Sequence, residues 1–184
     1  MTGRAGSGPA VVVLASGRGE RFVASGGSGS KLRALLAGRP VLDWTLDAVR
    51  ASGLPWHLED AGHPGMGDSI AAGVRATRDA GGWLILPGDL PLVQPDSLRR
   101  VAAALTGHGV VLPTWQGVQG HPVAFAPDSL DALLALAGPQ GAASIVRAQR
   151  EARRVLELAL DDQGIVTDID SVQDLARAEQ LLRR

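Results

Sequence analysis

The sequence contains no cysteine, which excludes disulfides, thiolate catalysis and zinc sites built on Cys, and suits a cytoplasmic protein. It has no excess of either charge: 18 Lys and Arg stand against 19 Asp and Glu, for a net charge of -1. Such a chain does not coat nucleic acid or an anionic membrane by bulk electrostatics, so any affinity for phosphate must come from a local site. No apolar run approaches the roughly 20 residues that a membrane-spanning helix needs. The first nine residues, MTGRAGSGP, are Gly-rich and lead into no apolar signal core; they read as a loose arm. The remainder, 10–184, has the length of one domain with a sizeable core.

What is present is an alternation of short apolar runs with helical segments, and no internal repeat. Ala10–Leu14 and Trp83–Pro87 are apolar throughout and predict buried central strands. Pro40–Ala51 predicts a helix with Val41, Leu42, Thr45, Leu46 and Val49 on one face and Gly53 to end it. Trp56–Glu59 is a short strand, and Ser69–Ala80 a helix with Asp68 or Ser69 as its cap. Further on come a helix over Pro95–Leu105, strands over Val110–Pro113 and Pro122–Ala126, and a helix over Ser129–Leu136. Strands over Arg154–Leu160 and Ile165–Val166 then flank a turn, and a last helix runs over Ser171–Leu182 with Asp174 three residues after its Ser cap. The fold class is α/β: a three-layer, doubly wound, Rossmann-like domain with a mostly parallel sheet. In such sheets ligands sit beyond the carboxyl ends of the strands.

Two loops follow buried strands. After Leu14 comes Ala15-Ser16-Gly17-Arg18-Gly19-Glu20-Arg21-Phe22, then a Gly/Ser stretch over Ala24–Ser30, then Lys31. Small residues let backbone N–H groups approach phosphate oxygens, and Arg21 and Lys31 can neutralise charge; the other reading is a surface loop with two solvated cations. The dinucleotide fingerprint fails at Phe22, and a P-loop fails because the order is Ser30-Lys31-Leu32. After Pro87 comes Gly88-Asp89-Leu90-Pro91, where Asp89 either ligates a metal ion beside substrate phosphates or caps a turn.

Taken together, these residues resemble the MobA-like nucleotidyltransferases. Leu14–Phe22 with Lys31-Leu32 resembles the family's LAAGxGxRF…KL signature, and Gly65–Gly73 its GMGxSLxxG segment. Gly88–Pro91 resembles its DxP turn, Gly120-His121-Pro122-Val123 its GHP motif, and Asp168–Ser171 followed by Asp174 its DIDTPED segment. The molybdenum cofactor cytidylyltransferases are the branch it most resembles. The resemblance implies a fold of nucleotidyltransferase type, with Arg21, Lys31 and Asp89 as catalytic residues. It implies that Leu14, Ala15, Ser16, Gly17, Arg18, Gly19, Gly67 and Ser69 lie along the nucleotide, and that Gly120, His121 and Pro122 border the acceptor. Asp89 would hold Mg²⁺, with Asp170, or Asp168 two residues before it, as second ligand. The acceptor's phosphate oxygen would attack the α-phosphate of CTP and release pyrophosphate. CTP is preferred to GTP because Ser16 supplies a side chain where the guanylyl branch carries glycine.

Two departures from the family pattern bear on this. The loop between Arg21 and Lys31 is long, and the segment between Val49 and Gly65 is too short for the usual extra helix and strand, so the strand before Gly65 should lie beside the first strand or be absent. Three functions follow: a cytidylyltransferase for a molybdopterin-type acceptor, a nucleotidyltransferase for another phosphorylated acceptor, or a cofactor carrier that serves a molybdoenzyme without turnover. Neither nucleic acid nor membrane is an expected partner. His57, His63 and His108 lack the spacing of a metal site, and Arg147, Arg150, Arg153 and Arg154 read as a solvated face near a helix end.

Overall fold

The computed structural model describes residues 8–17 and 19–183. Arg18 and most of the N-terminal arm lie outside the described residues; of the arm, Gly8 accepts a hydrogen bond from the Gly81 amide at 2.9 Å. In chain order the elements are β1 (Ala10–Leu14), α1 (Glu20–Ala24), β2 (Leu35–Leu36), β3 (Arg39–Pro40), α2 (Val41–Ser52) and β4 (Trp56–Glu59). Then come α3 (Met66–Ala76), β5 (Trp83–Pro87), α4 (Pro95–Ala104), β6 (Val110–Trp115), β7 (Val118–Gln119) and β8 (Val123–Phe125). The chain ends with α5 (Leu130–Leu134), α6 (Ala143–Glu151), β9 (Val155–Ala159) and α7 (Val172–Leu182). Short 3-10 turns stand at Lys31–Arg33, Pro127–Ser129 and Gln163–Val166. Among the described residues no helix is long and apolar enough to cross a membrane.

The sheet runs β4-β1-β5-β8-β6, and β6 also pairs with β7 and β9. Strands β4, β1 and β5 are parallel, as are β6 and β9, whereas β8 runs antiparallel between β5 and β6. Residues along a strand alternate between faces, and β1 shows this plainly. Val11 and Val13 pack with Leu46, Val49, Leu98 and Val101 of α2 and α4 on one face, and Val12 packs with Ile70, Val74, Leu133 and Ile145 on the other. This is why the strand is apolar throughout: both faces are covered, and each buried branched side chain contributes about 1.5–3 kcal/mol. The α/β three-layer architecture is as expected. A third, smaller cluster of Phe22, Leu36, Val41, Ile169 and Ala178 ties α1 and the β2–β3 hairpin to α7.

The segment after α2 contains no helix: β4 lies beside β1 in parallel register at the sheet edge, and residues 60–65 turn directly into α3. Two expectations are corrected. Helix α3 starts at Met66 with Gly65 as N-cap, three residues before the expected start, so Ser69 is no cap. Its first turn is held by tertiary packing instead: the Gly67 amide donates to Gly138 O, and Asp68 Oδ2 accepts from the Gly138 amide at 3.0 Å. Ile165–Val166 belongs to a 3-10 turn, not a strand, because Asp162 caps it, accepting from the Gly164 amide at 2.8 Å while Ser97 Oγ donates to the same carboxylate. The expected cap of α7 is present, with Ser171 Oγ accepting from the Asp174 amide. Helices α1 and α6 and the β2–β3 hairpin were not expected.

Candidate active site

Strands β4, β1 and β5 end level, with Leu14 opposite both Glu59 and Pro87. The loops after them therefore leave one edge of the sheet together. The Ala15 amide donates to Glu59 O and the Gly88 amide to Leu14 O, which keeps the three strand ends laced one residue further. The antiparallel strand β8 begins where its parallel neighbours finish, so Gly120-His121-Pro122, just before it, reaches the same edge. The Asp168–Asp170 segment is tied in by the Ile169 amide, which donates to Asp89 O at 3.0 Å.

At the centre stands Lys31. Its Nζ lies 2.5 Å from Asp89 Oδ2 and 2.6 Å from Asp170 Oδ1, and Arg21 Nη1 lies 2.6 Å from Asp170 Oδ2. Arg21 and Lys31 thus converge across nine intervening residues, on Asp170. Gly19 makes that approach possible: its φ of +65° is the left-handed region, and a Cβ there would crowd the Lys31 backbone at 3.3 Å. Burial disfavours the Lys31 ammonium, but Asp89 and Asp170 outweigh it and hold its pKa above the ordinary lysine value. Asp168, at the solvent-exposed rim beside them, is pushed up, first by partial desolvation and then by the charges of Asp89 and Asp170. Burial lowers the pKa of His121, against the opposing pull of Asp89 and Asp168. Its Nδ1 and Asp89 Oδ1 are both buried with no hydrogen-bond partner among the described residues.

Two cavities meet at this cluster. One of about 220 Å³ runs along Leu14, Ser16 and Gly17 to His63, Pro64 and Ser69. The other, of about 370 Å³, is bounded by Arg21, Gly120, His121, Ile165, Asp168 and Asp170. Lys31, Met66, Pro87 and Asp89 line both. Most of the residues singled out in the sequence therefore come together. Pro122, next in the chain to His121, is buried. The exceptions have already used their donors: the Ala15 amide is bound to Glu59 O, and the Gly67 amide to Gly138 O. A Cβ on Gly67 would stand 2.8 Å from Gln140 O, so the close packing of α3 against the loop at 137–140 already requires a glycine here.

Sequence reasoning missed Glu59. Its buried carboxylate accepts from the Ala61 amide and lies 3.0 Å from His63 Nε2 and 3.4 Å from His57 Nε2. The signal was present: His57 and Glu59 are two apart on a strand, hence on one face, and the turn at 60–65 returns His63 to them.

Among the described residues no three His, Asp or Glu side chains form a metal cage by themselves. Magnesium does not need one, since it is commonly held by one or two carboxylates together with substrate phosphates and water. The unpartnered Asp89 Oδ1 beside Asp170 fits that donor set.

Residues 47–155 match the MobA-like NTP transferase domain. The chain belongs to that family. Among MobA-like relatives it is 29% identical to a molybdenum cofactor guanylyltransferase of Cereibacter sphaeroides, aligning 94% of this chain with 96% of that protein. It is 31% identical to a 2-C-methyl-D-erythritol 4-phosphate cytidylyltransferase of Frankia casuarinae, over 95% of this chain and 81% of that one. It is also 29% identical to a bifunctional enzyme IspD/IspF of Ruegeria sp., where 95% of the chain spans only 56% of the relative's length. A nucleotidyl transferase from Methanothermobacter thermautotroptrophicus superposes with a TM-score of 0.81 at 23% identity, covering 97% of this chain and 99% of that one. Rv0371c of Mycobacterium tuberculosis in complex with manganese superposes at 0.68 and 22% identity, over 95% and 98% of the two chains. At these identities the superpositions establish the MobA-like fold.

Proposed function

We propose that this chain is a divalent-metal-dependent nucleotidyltransferase that moves CMP from CTP onto the phosphate of a molybdopterin-type acceptor. The observation that carries this reading is the position of Lys31 and Asp89 at the junction of two cavities. A nucleotide and an acceptor need one cavity each, and the phosphate between them needs cations there. Arg21 and Lys31 would turn from the carboxylates to the triphosphate oxygens. Asp89 and Asp170 would then hold Mg²⁺, whose chemistry is to neutralise charge developing on the α-phosphoryl oxygens. The acceptor phosphate oxygen attacks the α-phosphorus, the bond to the bridging oxygen breaks, and pyrophosphate leaves with its electron pair. The nucleophile is already anionic, so positioning and charge neutralisation carry the catalysis and no general base is required. Leu14, Ser16, Gly17, Gly19 and Ser69 would flank the nucleotide, and Gly120, His121 and Pro122 the acceptor.

The preference for CTP rests on Ser16, whose side chain stands in the first cavity with its hydroxyl turned to Glu59 O at 3.4 Å. A sugar- or alditol-phosphate acceptor is the second reading, favoured by similarity to the Frankia cytidylyltransferase. A carrier without turnover would not need the Lys31–Asp89–Asp170 constellation. The substrates proposed are cytoplasmic metabolites, so the reaction belongs in the cytoplasm, with a molybdoenzyme as recipient of the product. The test measures pyrophosphate release with Mg²⁺, each of CTP, GTP, ATP and UTP, and either molybdopterin or an alditol phosphate. Turnover with CTP and molybdopterin, lost in Asp89→Asn, is expected; turnover with GTP alone or with alditol phosphate alone would overturn the specific reading.

A further inference from the structure

We infer that His63 reads the nucleobase: pinned through Nε2 by the buried Glu59, it presents the lone pair of Nδ1 to the first cavity as an acceptor for the exocyclic amine of cytosine. The inference rests on the cytidylyl reading above and adds a residue to it.

Glu59 stands buried at the end of the edge strand β4, outside the Lys31 cluster. A carboxylate out of water needs donors. Among the described residues it has three in reach: the Ala61 amide at 3.2 Å and His63 Nε2 at 3.0 Å on Oε1, and His57 Nε2 at 3.4 Å on Oε2. Burial alone would raise its pKa, but the amide and the two imidazoles prevail and keep it ionised. An ionised partner accepts only, so the proton of a neutral His63 must sit on Nε2, and Nδ1 is left with a lone pair. No hydrogen bond among the described residues engages that nitrogen, although His63 lines the cavity.

The placement of His63 decides what it would meet. The wall shared by the two cavities carries the charges, Lys31 and Asp89, whereas His63, Pro64, Ser16 and Ser69 belong to the first cavity alone. A triphosphate drawn to Lys31 therefore directs its base towards the uncharged wall. Cytosine offers an N–H donor at its amino edge. Uracil offers a carbonyl at the same place, which a lone pair repels.

Binding of CTP and of UTP to the full-length protein with Mg²⁺, measured by titration calorimetry without acceptor, tests the inference. The wild type is expected to favour CTP by about tenfold, the value of one hydrogen bond. His63→Ala should bring the ratio to about one, by weakening CTP and by relieving the repulsion of UTP. Glu59→Gln, which can donate to Nε2 and so place the proton on Nδ1, should shift preference towards UTP. A wild type that does not separate the two nucleotides, or a His63→Ala variant that weakens both alike or keeps the ratio, would overturn the inference. The cytidylyl reading fails separately, through wild-type turnover with GTP in place of CTP.

Discussion

Replacing Lys31 by Met removes the one cation among the described residues that touches Asp89 and leaves the rest of the strand edge intact. In the wild type this ammonium, 14% exposed, holds carboxylates that are 12% and 23% exposed. Asp170 retains Arg21, but Asp89, whose Oδ1 already lacks a partner, would lose the partner of Oδ2 as well. Charge-assisted bonds contribute about 1.5–3 kcal/mol each, and stranding a buried charge costs about 3–5 kcal/mol. With Asp170 still paired, we expect a loss of about 3 kcal/mol at neutral pH, which in a domain of this size lowers Tm by about 6–12 °C. Lys31→Met/Asp89→Asn should recover much of that loss, since no charge is then stranded. The same perturbation should change metal binding in the opposite sense. In the wild type a divalent ion must displace Lys31 from both carboxylates, whereas in the variant it need not. Differential scanning fluorimetry with Mn²⁺ and no nucleotide should therefore show a larger stabilisation of Lys31→Met than of wild type, while CTP stabilises the variant less. A variant melting within 2 °C of wild type (under about 1 kcal/mol), or one responding to Mn²⁺ as the wild type does, would refute the reasoning.

Gly67→Ala places a Cβ against the backbone of Ala137 and Gln140, at 2.8–2.9 Å, so the gain in helix propensity is outweighed; a loss of about 1–2 kcal/mol in urea unfolding is expected, and an unchanged midpoint would show that the loop yields freely. His121 has a depressed folded pKa, so the unfolded chain takes up its proton first. Its contribution to stability is complete above the unfolded value of about 6.5 and declines as pH falls below it. His121→Gln should flatten the decline between pH 7 and 5 in denaturant melts, and superimposable wild-type and variant profiles would exclude His121 as its source.

Much of this protein was legible from local pattern. Five-residue apolar runs without alternation, too short for a helix, suit strands covered on both faces, and Ala10–Leu14 and Trp83–Pro87 are those strands. Ser171 and Asp174 form a cap because the partners are three residues apart. The short span before Gly65 leaves no room for a helix, and none is there. Tertiary structure decided what distant residues do to one another. Lys31 and Asp170 are 139 positions apart, and only the return of the chain after β9 brings that carboxylate to the lysine. The start of α3 escaped local reasoning because its first turn is held by the loop at 137–140 instead of by a capping side chain. Glu59, His57 and His63 were readable one by one, but the burial that turns them into a unit comes from the pairing of β4 with β1 and the packing of α3 over both, which no window of sequence contains.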